Sequence, residues 1–247
     1  MGLDGPSFYD DAGVFAAYQR SRARDETPND TLERPDILDL IGEVGGRRVL
    51  DLGCGDAQIG REMLAAGAEG YVGIEPSVNM VHLAQETLTG TRGQVFQATI
   101  EDWSYPPDAF DLVISRLALH YVEHVPSTCD RVFGALRAGG RFVFSVEHPV
   151  ITSCHRGWPA NEPRQDWLVD AYHVSGRRVT SWMGQEVVKY HRTVEEYFGG
   201  LQQAGFVVEA LREARPRRAA FLREETYQRR LRIPLFLLLA ARKPELQ

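Results

Sequence analysis

Residues 48–60 read RVLDLGCGDAQIG, an apolar strand that breaks at a glycine-rich turn and runs directly into a helix. Residues 49–52 predict a short buried strand, and residues 59–66 predict the helix that follows it. Gly53 and Gly55 allow the sharp turn and the close backbone approach that a side chain would block. A strand, a glycine turn and a helix in this order form the first half of a βαβ unit, whose ligand lies beyond the carboxyl end of the strand.

Two carboxylates flank this turn, Asp51 before it and Asp56 after it. Carboxylates attract an ammonium or a sulfonium group and repel phosphate. The glycines also depart from the dinucleotide fingerprint G-x-G-x-x-G, because four residues separate Gly55 from Gly60. The turn therefore favours a ligand that carries positive charge over a dinucleotide such as NAD.

A second predicted strand, residues 70–75, ends in an acid, and residues 76–80 open the next helix. The Glu75 carboxylate can accept both hydroxyl groups of a ribose, a role that nicotinamide enzymes share. In these motifs the chain resembles the class I S-adenosylmethionine-dependent methyltransferases, in the broad small-molecule group with a D-x-G-x-G first motif. The resemblance covers residues 47–144 and, more loosely, the last two strands.

The resemblance implies S-adenosylmethionine as the cofactor, S-adenosylhomocysteine as its product, and a set of residues that bind it. Gly53, Cys54 and Gly55 would line the amino-acid end of the cofactor, and Glu75 would bind the ribose. Thr99 stands where the family often has an acid that accepts the adenine amino group, and its hydroxyl can still accept that bond. Ile74, Pro76 and Met80 would flank the adenine, and Ile100 and Glu101 would meet its edge. The further candidate contacts of the cofactor are Asp51, Arg116 and, on the first helix, Tyr18 and Arg22.

The composition is that of an ordinary globular chain, with 247 residues and a formal net charge of −6. This charge argues against a protein built to bind polyanions. Three cysteines without paired spacing predict a reducing compartment, and the cytoplasm is the expected location. The first eleven residues lack an apolar signal core, and the longest apolar run, residues 235–241, is too short to span a bilayer. We therefore expect no membrane association.

Helical and strand patterns alternate along most of the chain, which predicts a parallel, doubly wound α/β fold. We expect a single Rossmann-like sheet of seven strands with helices on both faces, and the resemblance implies that the last strand inserts antiparallel beside the fifth. Residues 24–35 predict a loop. Predicted helices also cover residues 8–22, 36–41, 127–136 and 193–204, and further strands cover residues 95–99, 110–115, 141–146, 206–211 and 233–241.

One methyltransferase domain, residues 1–247, is the predicted organisation. Its expected parts are a helical cap at residues 1–45, a cofactor-binding core at 46–146, a substrate-covering insertion at 147–192, and a C-terminal helix with the last two strands at 193–247. In the cap, Tyr18 and Arg22 lie one helical turn apart and could close over the cofactor, with the arginine pairing its carboxylate. Simple packing of Tyr18 and a solvated Arg22 remain the alternative.

The insertion holds three of the four tryptophans, Trp158, Trp167 and Trp182. A segment of this length without clear elements is uncommon in a compact domain and is usually functional. We expect it to be partly structured and to cover the substrate pocket. Its aromatic side chains favour a small, aromatic or heterocyclic methyl acceptor, which would be methylated at nitrogen or oxygen.

Methyl transfer from a sulfonium depends mainly on alignment, and a general base can add to the rate. The favoured base is His191, which with Tyr190 and His148 is predicted to face the acceptor. His120, after the fourth strand, would lie close to the methyl group, and a role in shaping the pocket is an equal alternative. His120 and His124 form a His-x-x-x-His pair, but no further ligand is in place and we predict no metal site.

Other functions compete with this interpretation. The arginines between residues 212 and 232 could meet the phosphates of tRNA or rRNA, but the chain lacks the Asn/Asp-Pro-Pro-Tyr/Phe signature of base-amino methyltransferases after the fourth strand. A protein substrate, an NAD-dependent oxidoreductase and a non-catalytic cofactor-binding protein are the further alternatives. We expect a small-molecule acceptor rather than nucleic acid, and the sequence leaves a monomer and a homodimer open.

Overall fold

A seven-stranded sheet carries the fold, and a separate two-stranded sheet lies outside it. A computed structural model gives this architecture and describes residues 5–22, 25–154, 156–157, 166–182 and 184–245. The strands are β1 (Arg48–Leu52), β2 (Gly70–Glu75), β3 (Gly93–Gln97), β4 (Phe110–Arg116), β5 (Leu136–Glu147), β6 (Gly176–Trp182), β7 (Gln185–His191), β8 (Val207–Glu213) and β9 (Phe236–Arg242).

Helices connect most of the strands. They are α1 (Gly5–Phe8), α2 (Ala12–Arg22), α3 (Arg34–Ile41), α4 (Gln58–Ala65), α5 (Val78–Leu88), α6 (Val125–Ala135), α7 (Pro149–Thr152), α8 (Val194–Gln203) and α9 (Glu224–Arg230). A π-helical turn, Asn29–Glu33, runs directly into α3, and 3-10 turns cover Leu119–Tyr121 and Arg218–Ala220. Among the described residues, no helix is long and apolar enough to cross a membrane.

The strand order of the large sheet is β3-β2-β1-β4-β5-β9-β8. Neighbouring strands are parallel from β3 to β5, whereas β9 runs antiparallel to both β5 and β8. This arrangement confirms the predicted doubly wound sheet with an antiparallel last strand. Strand β9 lies between two strands, and helices cover both faces of the sheet. Six successive residues of β9 are therefore buried, which explains its apolar run.

The two faces of the sheet build two separate cores. Successive residues of a strand point to opposite faces, so Val49 joins one core and Leu50 the other. Helices α3, α4 and α5 contribute apolar residues to the first core, and α6 and α8 contribute to the second. The predicted placement of helices on both faces is therefore confirmed.

The N-terminal segment differs from its prediction in two places. The helix expected over residues 8–22 is broken between α1 and α2, and Asp11 Oδ1 caps the second helix by accepting a hydrogen bond from the Val14 N–H at 2.9 Å. The loop expected over residues 24–35 is wrong in its second half, because Asn29–Glu33 is already helical. Pro35 lies in the first turn of α3, a position that proline favours.

The insertion contains a β-hairpin that the sequence interpretation missed. Strands β6 and β7 pair antiparallel, from Gly176 opposite His191 to Trp182 opposite Gln185. Val187 of this hairpin forms a small core with Phe8 and Val14, so the insertion packs on the N-terminal helices. Trp158 of the insertion lies outside the described residues.

The sequence interpretation placed the starts of two strands too late. Strand β3 begins two residues before its predicted start, and β5 begins five residues before its predicted start.

Helix α4 and strand β2 are in close contact near the glycine turn. Gly60 lies directly against the Tyr71 ring, and a Cβ at this position would overlap the ring. The Tyr71 hydroxyl in turn donates a hydrogen bond of 2.6 Å to Asp51 Oδ2 at the end of β1. The small size of Gly60 thus allows the approach that places a hydroxyl on this buried carboxylate.

We expect Gly60→Ala to lower the free energy of unfolding by about 1–3 kcal/mol, because the added methyl group must displace the Tyr71 ring in a close-packed core. Gly134→Ala is the matched control, since Gly134 lies in α6 with no atom near the position of its missing Cβ. It should leave stability unchanged or raise it by up to about 1 kcal/mol. Denaturant unfolding of both variants tests this, and equal stabilities would contradict the contact.

Candidate active site

A cavity of about 510 Å³ opens at the carboxyl ends of β1, β2 and β4. Its walls come from the glycine turn, the segment after β3, the segment after β4, the N-terminal helices and β7. Most of the residues predicted from the sequence line it. These are Tyr18, Asp51, Gly53, Cys54, Gly55, Glu75, Pro76, Met80, Thr99, Ile100, Glu101, Arg116 and Tyr190.

The turn after β1 requires glycine at its first position. Gly53 has a φ of +76°, and a Cβ there would overlap the Ala118 side chain on the segment after β4. Cys54, the next residue, is buried, and burial raises the pKa of its thiol well above the usual value. The thiol is therefore neutral, and Cys54 acts here as a small buried side chain.

Glu75 lies at the end of β2 with its carboxylate against the glycine turn. Oε2 accepts a hydrogen bond from the Gly55 N–H at 3.0 Å, and Oε1 accepts one from the Ser77 N–H at 3.1 Å. Burial nevertheless raises the pKa of Glu75 to about 7. A ligand that donates hydroxyl hydrogens to this carboxylate would favour its ionised form.

Asp51 presents an oxygen without a partner. Its Oδ2 accepts the Tyr71 hydrogen bond, whereas Oδ1 is buried and has no hydrogen-bond partner among the described residues. Burial raises the pKa of Asp51 to about 6. An unpaired buried carboxylate oxygen is costly, so this position on the cavity wall fits a ligand that brings a donor or a positive charge.

Arg116 lines the cavity but is already paired. Its guanidinium donates two hydrogen bonds to the buried Glu33 carboxylate, one of them from Nε to Oε1 at 3.1 Å. The Ser145 hydroxyl also donates to Glu33 Oε1, at 2.7 Å. Arg34 lines the cavity as well and pairs with Glu62 of α4. The sequence interpretation missed Arg34 because it assigned residues 24–35 to a loop.

The segment after β3 brings an unexpected acid to the cavity. The Thr99 hydroxyl donates to Asp102 Oδ2 at 2.7 Å and accepts from the Asp102 N–H at 3.0 Å. Asp102 itself lines the cavity beside Ile100 and Glu101. Position 99 has no carboxylate in the sequence, but the Asp102 carboxylate lies beside the Thr99 side chain.

Comparisons with known proteins agree with this geometry. A family model described as a methyltransferase domain matches residues 49–140. An uncharacterized protein from Haemophilus influenzae is 31% identical over 218 residues, which cover 84% of this chain and 85% of that protein. The crystal structure of an S-adenosylmethionine-dependent methyltransferase from Mesorhizobium loti is 37% identical, with a TM-score of 0.79, and the match covers 85% of this chain and 97% of that one.

The chain belongs to the S-adenosylmethionine-dependent methyltransferases. The cavity of this methyltransferase fits the cofactor, because the unpaired Asp51 Oδ1 suits an ammonium group and Glu75 suits the ribose hydroxyls. Pro76, Met80 and Ile100 offer apolar contacts for the adenine. When bound, S-adenosylmethionine supplies an electrophilic methyl group, and the residues of the chain bind it, orient it and exclude water.

Three histidines that the sequence placed at the acceptor lie outside the cavity wall. His191 is fully buried, with Nδ1 2.7 Å from the Thr152 hydroxyl and Nε2 2.9 Å from the Tyr172 carbonyl oxygen. Both ring nitrogens are therefore occupied, and burial lowers the pKa of the ring. This placement argues against His191 as the general base.

The other two histidines also make structural hydrogen bonds and do not line the cavity. His148 Nδ1 accepts from the Val150 N–H at 3.1 Å and caps α7, and Nε2 lies 3.0 Å from Glu213 Oε1. His120 is buried against the Tyr121 ring, and its Nδ1 accepts from the backbone N–H of Glu147 at 3.3 Å. Burial lowers the pKa of His120 to about 4.

Other side chains of this methyltransferase line the cavity instead. His124 is exposed and lines the cavity, and Tyr190 lines it with its hydroxyl donating to Glu123 Oε2 at 3.3 Å. Tyr9 and Tyr121 add two phenol rings that the sequence interpretation did not assign. The structure does not describe the Arg22 side chain, and among the described residues no three potential metal ligands lie together.

We expect the affinity for S-adenosylhomocysteine to fall as the pH is lowered from 8 to 5. Ribose hydroxyls donate to the ionised form of Glu75, so ligand binding lowers its pKa from about 7 and must expel a proton at lower pH. The loss should approach about tenfold per pH unit. Calorimetric titration measures it, with Glu75→Gln as the control whose weaker binding varies less with pH. An equally steep profile in Glu75→Gln would contradict the role of Glu75.

We expect His191→Ala to lower the free energy of unfolding by about 1–3 kcal/mol, because it removes two buried hydrogen bonds. Its affinity for S-adenosylhomocysteine should stay within about twofold of the original. His124→Ala, at an exposed position, should leave stability unchanged. Thermal unfolding and titration separate these effects, and unchanged stability with lost affinity in His191→Ala would return His191 to the active site.

Proposed function

We propose that this methyltransferase transfers a methyl group to nitrogen or oxygen of a small molecule that shares the cavity with the cofactor. The observation that supports this proposal is the enclosure of the cavity by the N-terminal helices and the β6–β7 hairpin. Val188 and Tyr190 of β7 and Tyr18 of α2 all line the same cavity. A cavity of about 510 Å³ suits one nucleoside cofactor with a small acceptor.

The insertion contributes to this enclosure differently from its prediction. Trp167 donates its indole N–H to the Val150 carbonyl oxygen at 3.0 Å, and Trp182 is 41% exposed on the hairpin. Neither of these two tryptophans lines the cavity. The proposed wall over the acceptor is therefore made by one face of β7 and by tyrosines, with the tryptophans supporting the insertion.

A nucleic-acid acceptor is the second candidate, because tRNA U34 carboxymethyltransferases are among the relatives. The relative from Citrifermentans bemidjiense is 37% identical over 118 residues, which cover 44% of this chain and 35% of that protein. The arginines of the segment before β9 give weak support for RNA binding, because two of them are paired with carboxylates. Arg217 pairs with Asp36 and Asp39, and Arg218 pairs with Glu224.

Alignment is the main contribution we assign to the protein in the methyl transfer. Holding two reactants in line can lower the barrier by up to about 7–11 kcal/mol. Among the cavity-lining groups, Glu123 and His124 are the ones we favour for taking a proton from an acceptor. Desolvation raises the pKa of Tyr190 and keeps its phenol protonated, so Glu123 and His124 replace the buried histidines as the candidate general bases.

Parallel calorimetric titrations with S-adenosylmethionine, S-adenosylhomocysteine and NAD test the cofactor assignment, and we expect the first two alone to bind. Glu75→Ala should weaken both by about tenfold or more, because a buried carboxylate that accepts ligand hydroxyls is removed. A methyl-radiolabelled cofactor, offered with a small-molecule extract and separately with total tRNA, then tests the acceptor. Incorporation into the small-molecule fraction is the expected result, and incorporation into tRNA alone would overturn the proposal.

A further inference from the structure

Tyrosine rings form the acceptor side of the cavity. Tyr9, Tyr18, Tyr121 and Tyr190 all line it. The rings of Tyr9 and Tyr18 meet edge to face, with centroids 5.2 Å apart. Burial raises the pKa of Tyr9 and of Tyr121, so both phenols stay neutral. All four rings belong to the wall of one cavity, and neutral aromatic faces attract cations through their quadrupoles.

The charged side chains of the cavity wall are mainly negative. Two arginines line it, Arg34 and Arg116, and each is paired with a carboxylate outside the lining, Glu62 and Glu33. The wall therefore presents a negative potential that is not cancelled by its own cations. The carboxylates among the described lining residues are Asp51, Asp56, Glu75, Glu101, Asp102 and Glu123.

Two cations lie close to the tyrosines without lining the cavity: Arg192, whose guanidinium is 5.9 Å from the centroid of the Tyr190 ring, and Lys189. Lys189 is buried, and its Nζ donates to Glu147 Oε1 at 2.6 Å. It lies 5.7 Å from the centroid of the Tyr121 ring and 5.3 Å from that of Trp182, and it does not line the cavity. The pair with Glu147 neutralises this lysine, so it does not repel a cation that binds among the tyrosines.

Glu123 joins the negative charge to the aromatic rings. It lines the cavity, and its Oε2 accepts the hydrogen bond of the Tyr190 hydroxyl at 3.3 Å. Its backbone N–H donates to Glu101 Oε1 at 3.3 Å, which keeps a second carboxylate close. Asp51, Glu75 and Glu101 are the carboxylates we expect at the cofactor, whereas Glu123 remains for the acceptor. An anionic acceptor would meet like charges here, at a cost that discriminates against it.

We propose that the methyl acceptor is a cationic amine, held against the tyrosine rings beside Glu123 and methylated at its nitrogen. This inference rests on the proposed small-molecule methyl transfer and names its substrate class. The ammonium first loses a proton to the Glu123 carboxylate. The amine nitrogen then bonds to the methyl carbon, and the carbon–sulfur bond breaks with its electron pair remaining on the sulfur.

Binding of a quaternary ammonium probe tests this assignment without knowledge of the natural acceptor. The full-length enzyme is saturated with S-adenosylhomocysteine and titrated with benzyltrimethylammonium, and separately with the size-related benzyl alcohol and phenylacetate. We expect benzyltrimethylammonium to bind at least tenfold more tightly than either. Equal or tighter binding of phenylacetate would overturn the proposal, and so would the absence of benzyltrimethylammonium binding to the loaded enzyme.

Variants locate the probe within the cavity. Tyr190→Leu should weaken benzyltrimethylammonium binding by about threefold to thirtyfold, whereas Tyr190→Phe, which keeps the ring, should weaken it less. Glu123→Gln should also weaken it, and Glu225→Gln, an exposed acid on α9, is the matched control that should not. Unchanged affinity in both Tyr190→Leu and Glu123→Gln would overturn the assigned site.

The affinity for S-adenosylhomocysteine distinguishes a failure of the proposed methyl transfer from a failure of the amine assignment. Each variant should keep this affinity within about twofold, which shows that it is folded. If the original enzyme binds no S-adenosylhomocysteine, the proposed methyl transfer fails and the amine assignment fails with it. If it binds S-adenosylhomocysteine but prefers the neutral or anionic probe, only the amine assignment fails.

Discussion

The site depends on two buried carboxylates, Asp51 near the end of β1 and Glu75 at the end of β2. Asp51 is stabilised by one hydroxyl, and Glu75 by two backbone N–H groups, yet burial still raises the pKa of both. The ring that carries this hydroxyl packs directly against Gly60, where a side chain would overlap it. A ligand that brings positive charge and hydroxyl groups relieves the desolvation that these contacts leave uncompensated.

The N-terminal helices are joined to the same place. The Ser77 hydroxyl donates to Asp10 Oδ1 at 2.7 Å and accepts from the Met80 N–H at 3.3 Å, while the Ser77 N–H donates to Glu75. Asp10 thus fixes the link between α1 and α2 to the start of α5, directly beside Glu75. Tyr9 lies in this link and Tyr18 lies on the helix that follows it, so the same contacts position two aromatic residues of the cavity wall and the Glu75 carboxylate.

The cavity-lining residues around the glycine turn could be predicted because each belongs to a short local motif. Asp51, Gly53 and Glu75 belong to strand ends and turns that local pattern defines, and the strand order then brings them together. The part of the wall that β7 contributes depends on the β6–β7 hairpin, whose register is set by tertiary pairing. Neighbours on a strand point to opposite faces, so Tyr190 faces the cavity whereas His191 faces Thr152.

The same alternation explains how β7 can be polar without disturbing the charge of the cavity. Val188 and Tyr190 form the wall, while Lys189 points away and pairs with Glu147. A buried ion pair is stable only when both charges are matched, so each partner requires the other. One strand therefore places the Tyr190 ring on the cavity wall and an ion-paired lysine behind it, so this lysine adds no net charge to the cavity.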